Sequence, residues 1–411
     1  MKNLRFIHMA DLHLDSPFTG LKKIPERFFA EIKEAANRSL ARGVDAAIRE
    51  TVDFVLIAGD IYDKEDLSVR AQVVFYQEMK RLEQADIPVY LIHGNHDFYA
   101  EGQDRLQLPE NVTVFPAHVE AVLFQRPNRP TANIYGFSYD KRHIPEKRIQ
   151  EYQRVGEADF HIGLLHGSEI TQSEAHDVYA PFSVNELKSK RFDYWALGHI
   201  HKRMTLAEEP MIHYPGNMQG RSRKEQGAKG CTLVTLNEAG ASAAFIPTSP
   251  LIWEDVAVRF NEIPDKTELF KRLTDCLARY KELPESYFLQ IHIEMPHSDK
   301  LLREDWLSML QEQAPVEDGS FVWVNQLFFS ENKEEVAFDW WKNGLLQEEW
   351  QFAKDKLDAE GPFFQNIEAL YFHSSMSRFL EDISEEKRQD ITTRAMLRVG
   401  RLLAELEGEK K

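Results

Sequence analysis

Five short apolar runs in the first two hundred residues each stop at side chains of the kind that hold metal ions. Residues 4–10 stop at Asp11-Leu-His13, and residues 55–58 stop at Gly59-Asp60. Residues 88–93 run into Gly94-Asn95-His96-Asp97, 160–165 into His166-Gly167, and 192–197 into Gly198-His199-Ile-His201. A short apolar run bounded by turn residues reads as a buried strand. In an open α/β sheet, ligands gather outside the carboxyl ends of the strands, so five such ends can meet on one rim. Taken singly, each has an ordinary reading. Gly-Asp and Gly-Asn match generic turn chemistry, and His8, His93, His143, His161, His176 and His213 read as bystanders. It is the recurrence of oxygen and imidazole ligands at strand ends that argues for a site.

Asp60 is the natural bridge of such a site, because its two carboxylate oxygens could each take a different cation. Asp11 and His13 stand two apart, and residues two apart in extended chain point the same way. His199 and His201 repeat that spacing. Asp15 shares the parity of Asp11 and His13 but lies past the strand end and is left out.

Between these ends the chain alternates. Residues 25–51 place Phe28, Ile32, Ala35, Ala36 and Leu40 at helical spacing, and residues 67–85 form a second amphipathic helix. Strand–helix alternation implies right-handed crossovers and a parallel sheet. From 111 to 250 the strands become short and helices sparse, at 111–115, 120–124, 132–137, 160–165, 192–197, 211–214, 230–236 and 241–246. They predict a second, partly antiparallel sheet packed on the first. Pro247 and Pro250 bracket what reads as a linker. The expected fold is an α/β two-sheet α/β/β/α sandwich over residues 1–250, a small α/β capping domain at 251–332, and a helical region at 333–411. The last helix, 384–406, carries an apolar stripe of Ile391, Ala395, Val399, Leu402, Leu403 and Leu406 flanked by Arg394, Arg398 and Arg401.

Composition excludes some classes. No run of about eighteen apolar residues occurs, so no membrane span is expected. The N-terminal residues lead straight to Asp11, and a cleavable signal peptide would remove what looks functional, which points to the cytoplasm. Cys231 and Cys276 are the only cysteines of the 411 residues, so a disulfide framework is excluded. The net charge of -17 argues against duplex binding through global charge. Basic residues nevertheless outnumber acidic ones between 188 and 230, where Arg221, Arg223, Lys224 and Lys229 form a candidate nucleic-acid-binding strip. The alternative is a solvated loop.

The segments Asp11-Leu-His13-Leu-Asp15, Gly59-Asp-Ile-Tyr-Asp63, Gly94-Asn-His-Asp97, Leu164-Leu-His-Gly167 and Leu197-Gly-His-Ile-His201 resemble those of the calcineurin-like metallophosphoesterase superfamily. Within it they resemble the SbcD-type DNA-repair exonucleases, in their bacterial YhaO-like branch. The resemblance covers residues 1–250 and extends weakly over 251–330. It implies that Asp11, His13 and His201 bind one metal, that Asn95, His166 and His199 bind the other, and that Asp60 bridges them. His96 would face the phosphate as the catalytic residue, protonating the leaving oxygen or steadying the transition state. Mixed imidazole and oxygen ligands suit Mn²⁺, Fe²⁺ or Zn²⁺ better than Mg²⁺, and the family implies two ions, with Mn²⁺ named. It further implies DNA as substrate and an SbcC-like coiled-coil ATPase as partner, docked through C-terminal helices, and it admits a homodimer. Segment 214–224 departs from the Gly-Ser loop of many SbcD proteins, which leaves the substrate open. A small-molecule or nucleotide phosphoesterase and a non-catalytic scaffold are the competing readings; the intact ligand set argues against the scaffold.

Overall fold

In the computed structural model of the chain, the described residues are 3–16, 18, 24–63, 68–99, 105–170, 179–295, 303–313, 316–317, 320–331 and 347–359, with isolated positions as far as 399. The apolar runs become strands and the amphipathic segments helices, in the order β1 (Asn3–Met9), α1 (Phe29–Arg49), β2 (Phe54–Ala58), α2 (Val69–Gln84) and β3 (Val89–Ile92). Then come β4 (Val112–Val114), β5 (Glu120–Phe124), β6 (Ala132–Gly136), β7 (Phe160–His166), α3 (Val184–Ser189), β8 (Tyr194–Gly198), β9 (Met204–Glu208), β10 (Met211–Tyr214), β11 (Gly230–Asn237) and β12 (Gly240–Pro247). The remainder holds β13 (Leu251–Arg259), α4 (Lys266–Lys281), β14 (Ser286–Met295), α5 (Arg303–Glu312), β15 (Val316–Glu317), β16 (Ser320–Glu331) and α6 (Gln347–Asp358). The chain divides into two compact units, the larger of residues 1–258, 264–293 and 301–328 and the smaller of 259–263, 294–300 and 329–411.

The larger unit contains two mixed six-stranded sheets, with orders β12-β11-β1-β2-β3-β4 and β5-β6-β7-β8-β10-β9. β1 to β4 run parallel, while β11 pairs antiparallel with β1 along Asn3↔Asn237 to His8↔Thr232. This corrects the sequence expectation that strands at 111–115, 230–236 and 241–246 belong to the second sheet. They complete the first. A third sheet has the order β13-β14-β16-β15.

Side-chain alternation builds the layers. Leu4, Phe6, Phe54, Leu56 and Ile92 face Ile134, Ile162, Leu164 and Ala196 of the second sheet in an apolar core. Their neighbours Ile7, Met9, Val55, Ile57, Val89 and Leu91 face α1 and α2 through Leu40, Val44, Phe75, Met79 and Leu82. The outer face of the second sheet is covered by α3 and by aromatic loop residues, with Tyr152, Phe182 and Leu187 over Trp195 and Leu197. The order of layers is therefore α/β/β/α. Burial of each such large apolar side chain contributes about 1.5–3 kcal/mol.

Helix α1 ends in a Schellman motif. Thr51 has φ 48°, its N–H donates to the Ile48 carbonyl (3.1 Å), and the Val52 N–H donates to that of Ala47 (3.2 Å). The first half of α1 belongs to a separate core. Ile32 and Ala35, with Phe28 just before the helix, pack with Leu251, Trp253, Phe288, Phe321 and Trp323. Residues 247–250 are accordingly not a loose linker. Thr248 and Ser249 are buried, both their N–H groups donate to the Lys229 carbonyl (2.9 and 3.1 Å), and Thr248 Oγ1 lies 2.8 Å from Ser39 Oγ. Of the expected C-terminal stripe, Leu402, Leu403, Leu406, Arg394, Arg398 and Arg401 lie outside the described residues. Among the described residues no helix is long and apolar enough to cross a membrane.

Two of the bystander histidines sit between the sheets. His8 is 2.9 Å from Tyr194 Oη and 3.1 Å from the Leu197 carbonyl through its two ring nitrogens. His213 contacts Thr205, Thr232 and Arg203. Burial first, then the charge of Arg203, pushes His213 down to about 3, and burial also lowers His8 well below its ordinary value. Both rings therefore stay neutral in the folded state while the unfolded chain takes up protons below pH ~6.5. Their contribution is complete above that pH and is lost as the pH falls, by about 1.4 kcal/mol per pH unit per ring. Between pH 8 and 5.5, urea unfolding should show a stability loss about 1.4 kcal/mol smaller in His213→Gln than in the parent. Equal losses would contradict the account.

Candidate metal centre

The ligand-type residues follow β1, β2, β3 and β8, and His166 closes β7, so all stand at carboxyl ends of parallel strands. Asp11, His13 and His201 bring one ligand atom each within 4.8 Å of one another, and Asp11, Asp60 and His166 do the same. Asp11 thus belongs to both groups. His13 Nε2 and His201 Nε2 are 3.0 Å apart. Asp60 Oδ2 lies 3.3 Å from His166 Nε2 and 3.8 Å from His13 Nε2, between the two halves. Asn95 Oδ1 is 3.0 Å from His166 Nε2 and 3.2 Å from His199 Nδ1. All seven proposed ligands therefore come together.

The backbone that achieves this is not extended. Asp11 (φ 52°), His13 (46°), Asp15 (63°), Asp60 (52°) and His199 (98°) all lie in the left-handed region. Asp11 and His13 share a site because every second residue of that loop is kinked, not through the parity of an extended strand. The kinks let the loops after β1 and β2 stay paired: Asp11, His13 and Leu14 donate N–H to the carbonyls of Gly59 (3.1 Å), Asp60 (3.0 Å) and Ile61 (2.8 Å). Such conformations cost about 1–3 kcal/mol each and persist only where the surroundings enforce them. The other loops are tied in turn. The His199 N–H donates to Asp11 Oδ1 (3.0 Å), and the His96 N–H to Asp60 Oδ1 (3.0 Å). Buried Asp97 accepts from the N–H groups of Ile61 (2.9 Å) and Gly94 (2.7 Å). Gly94 cannot be larger, since a Cβ there would come within 2.2 Å of Asp60 Oδ1.

Electrostatics favour positive charge at the centre. Burial opposes the charged form of His166, but Asp60 outweighs it and raises the ring to about 9, while Asp60 is held well below the usual carboxylate range. Burial, then the charge of His166, lowers His199 to about 3, which leaves it a neutral donor. Three outer ring nitrogens lie close to oxygen atoms. His166 Nδ1 is 2.9 Å from the Ala58 carbonyl, His13 Nδ1 is 3.0 Å from Asp63 Oδ1, and His201 Nδ1 is 2.6 Å from Glu225 Oε1. With a proton on Nδ1 alone, each ring would aim an Nε2 lone pair inward, as a metal ligand must; at His166 a bound cation would take the place of the second proton that Asp60 otherwise favours. The donor set therefore fits divalent cations.

His96 stands apart. Its side chain is 35 % exposed, and its Nδ1 is 3.2 Å from the Asp63 carbonyl and 3.7 Å from Asp63 Oδ1. It also falls within 4.8 Å of His13 and Asp63, so its geometry alone permits a ligand role. The basic strip is divided. Arg223 and Lys224 are exposed, but Lys229 is partly withdrawn and Arg221 turns inward to Asp63 Oδ1 (2.8 Å) and Ser16 Oγ (2.9 Å). Sequence reasoning missed Glu225, whose only signal was its place four residues after Arg221 in a basic run.

The profile of the calcineurin-like phosphoesterase family matches residues 4–203, a span that holds every proposed ligand. The chain is similar to the uncharacterized metallophosphoesterase YhaO of Bacillus subtilis (strain 168), with 37 % identity over 417 residues, covering 99 % of this chain and 100 % of that one. Among solved structures it is similar to the protein TT1561 of Thermus thermophilus, at 11 % identity and a TM-score of 0.34, over 59 % of this chain and 98 % of that one. It is also similar to a dimetal phosphatase from Danio rerio, at 13 % identity and a TM-score of 0.35, over 60 % of this chain and 99 % of that one.

Proposed function

The chain belongs to the calcineurin-like metallophosphoesterases, and from that premise we propose that it is a nuclease hydrolysing DNA phosphodiesters, acting in cytoplasmic DNA repair with an SbcC-like coiled-coil ATPase. The convergence of Asp11, His13, His201, Asn95, His166 and His199 about Asp60 carries the hydrolytic reading. The likeness of the five ligand segments to SbcD-type nucleases supports DNA as the substrate. Asp11, His13 and His201 would hold one cation, Asn95, His166 and His199 the other, with Asp60 between, and we propose Mn²⁺. Two divalent cations supply Lewis acidity and offset the charge that builds during in-line displacement at phosphorus.

The chain's own groups do the rest. The backbone of His96 is fixed by its N–H bond to Asp60. Its Nδ1 is held against the Asp63 carbonyl, which leaves Nε2 to face outward. An imidazolium there can give a proton to the leaving oxygen or hold charge against the phosphoryl group.

A second reading, a small-molecule or nucleotide phosphoesterase, is favoured by the inward turn of Arg221 and the withdrawal of Lys229, which thin the strip to Arg223 and Lys224. The deciding assay incubates purified protein with linear DNA, hairpin DNA and p-nitrophenyl phosphate mono- and diesters, in Mn²⁺ or Mg²⁺. Metal-dependent cleavage of DNA together with the diester is the expected result. Turnover of small esters with DNA left intact, with and without the partner ATPase, would favour the second reading.

A further inference from the structure

We propose that Glu225 and Arg221, on the segment between β10 and β11, are positioning residues of the metal centre. Glu225 fixes the ring of His201, and Arg221 ties Glu225 to Asp63 on the opposite wall. The proposal rests on the dinuclear reading above and adds to it a support that the ligand motifs do not contain.

The geometry is a chain of contacts behind two rings. His13 and His201 point Nε2 at each other across 3.0 Å. Behind His13, Nδ1 is 3.0 Å from Asp63 Oδ1. Behind His201, Nδ1 is 2.6 Å from Glu225 Oε1. Arg221 spans the two carboxylates: its Nη1 donates to Asp63 Oδ1 (2.8 Å), and its Nη2 lies 3.9 Å from Glu225 Oε1. The second oxygen of Glu225 accepts the backbone N–H of Arg221 at 2.7 Å. Asp63–Arg221–Glu225 therefore closes a brace from the back of one ring to the back of the other.

The segment itself is pinned. The Asn217 N–H donates to the His201 carbonyl (3.2 Å), and Gly216, at φ 77°, passes so close that a Cβ would lie 2.8 Å from that same carbonyl oxygen. At Gly220 a Cβ would come within 2.5 Å of the Glu225 carbonyl oxygen. Backbone closeness of this kind sets the distance at which Glu225 meets His201.

Arg221 is not free to read a phosphate. Its side chain is 18 % exposed and faces two carboxylates, so its charge is already met. A salt-bridge network drawn partly out of water contributes little net stability, because desolvation offsets attraction. Holding a ligand ring in one tautomer and one orientation is what such a carboxylate does well, and losing it costs about 10–100-fold in metal affinity.

The experiment compares full-length parent, Glu225→Ala, Glu225→Gln and His201→Ala. Mn²⁺ binding is measured by titration calorimetry and equilibrium dialysis, and thermal midpoints are measured in chelator. Glu225→Ala should weaken one Mn²⁺ site about 10–100-fold while its midpoint in chelator stays near that of the parent. Glu225→Gln keeps the shape and one acceptor oxygen but not the charge, so it should show a smaller loss. That grading is not expected of a merely structural residue. His201→Ala should lose one cation outright. If it binds both as the parent does, the dinuclear reading fails and the proposal with it. If His201→Ala loses a cation but a folded Glu225→Ala binds as the parent does, the positioning role alone is overturned. Should Glu225→Ala fail to fold, the Gln variant decides.

Discussion

Asp60→Asn should strip both cations from the protein and remove hydrolysis with them. The carboxylate stands between the two groups of ligands, with Oδ2 3.3 Å from His166 Nε2 and 3.8 Å from His13 Nε2. Asparagine has nearly the same shape, and its oxygen can still accept the His96 N–H, so the loop after β3 should remain in place. What is lost is the charge that raises His166 and that draws cations into a buried site. Lewis-acid stabilisation is worth several kcal/mol, so turnover should fall by about 10³-fold or more. Metal analysis of the dialysed variant should find well under two equivalents. Two equivalents retained at parental affinity would mean that Asp60 does not bridge.

His96→Ala should behave in the opposite way, with both cations retained and turnover lowered by about 10²–10⁴-fold, the usual contribution of a general acid. The ring is 35 % exposed, and its hold on the protein is through Asp63 and the backbone, not through Asp60 Oδ2. The competing assignment is specific. His96, Asp63 and His13 lie close enough to share a cation, and in that case the variant would lose one equivalent of metal. The two variants thus form a pair. One separates the metals from the protein, and the other separates the chemistry from the metals.

The cluster of candidate ligands is legible because its signal is local. A buried strand and the ligand that ends it are neighbours in sequence, so Asp11, Asp60, Asn95, His166 and His199 could be picked out with no knowledge of pairing. Pairing itself is not local. Leu4 and Leu236 are partners across β1 and β11, yet nothing in the alternation of either strand names the other, and so sequence alone places the strands at 111–115, 230–236 and 241–246 in the wrong sheet. The extended-chain argument for Asp11 and His13 reached the right neighbours for the wrong reason, because backbone sign is invisible in residue type when the kinked residue is not glycine. Glu225 escaped notice for a related cause: its importance lies in a 2.6 Å contact with a residue twenty-four positions away. The prolines at 247 and 250 suggested a tether, whereas burial of Thr248 and Ser249 makes the segment a fastening.

Helix α1 gives its first turns to the core beneath the third sheet and its later turns to the core beneath the first. A rod shared between two apolar cores cannot let go of one without loosening the other. Melting of the third sheet is thereby coupled to the helix that backs β1 and β2, the strands that present Asp11, His13 and Asp60. The strands that present the candidate ligands and the residues Leu251, Trp253, Phe288, Phe321 and Trp323 of the same compact unit become one cooperative whole, and heat or denaturant should meet them as a single transition.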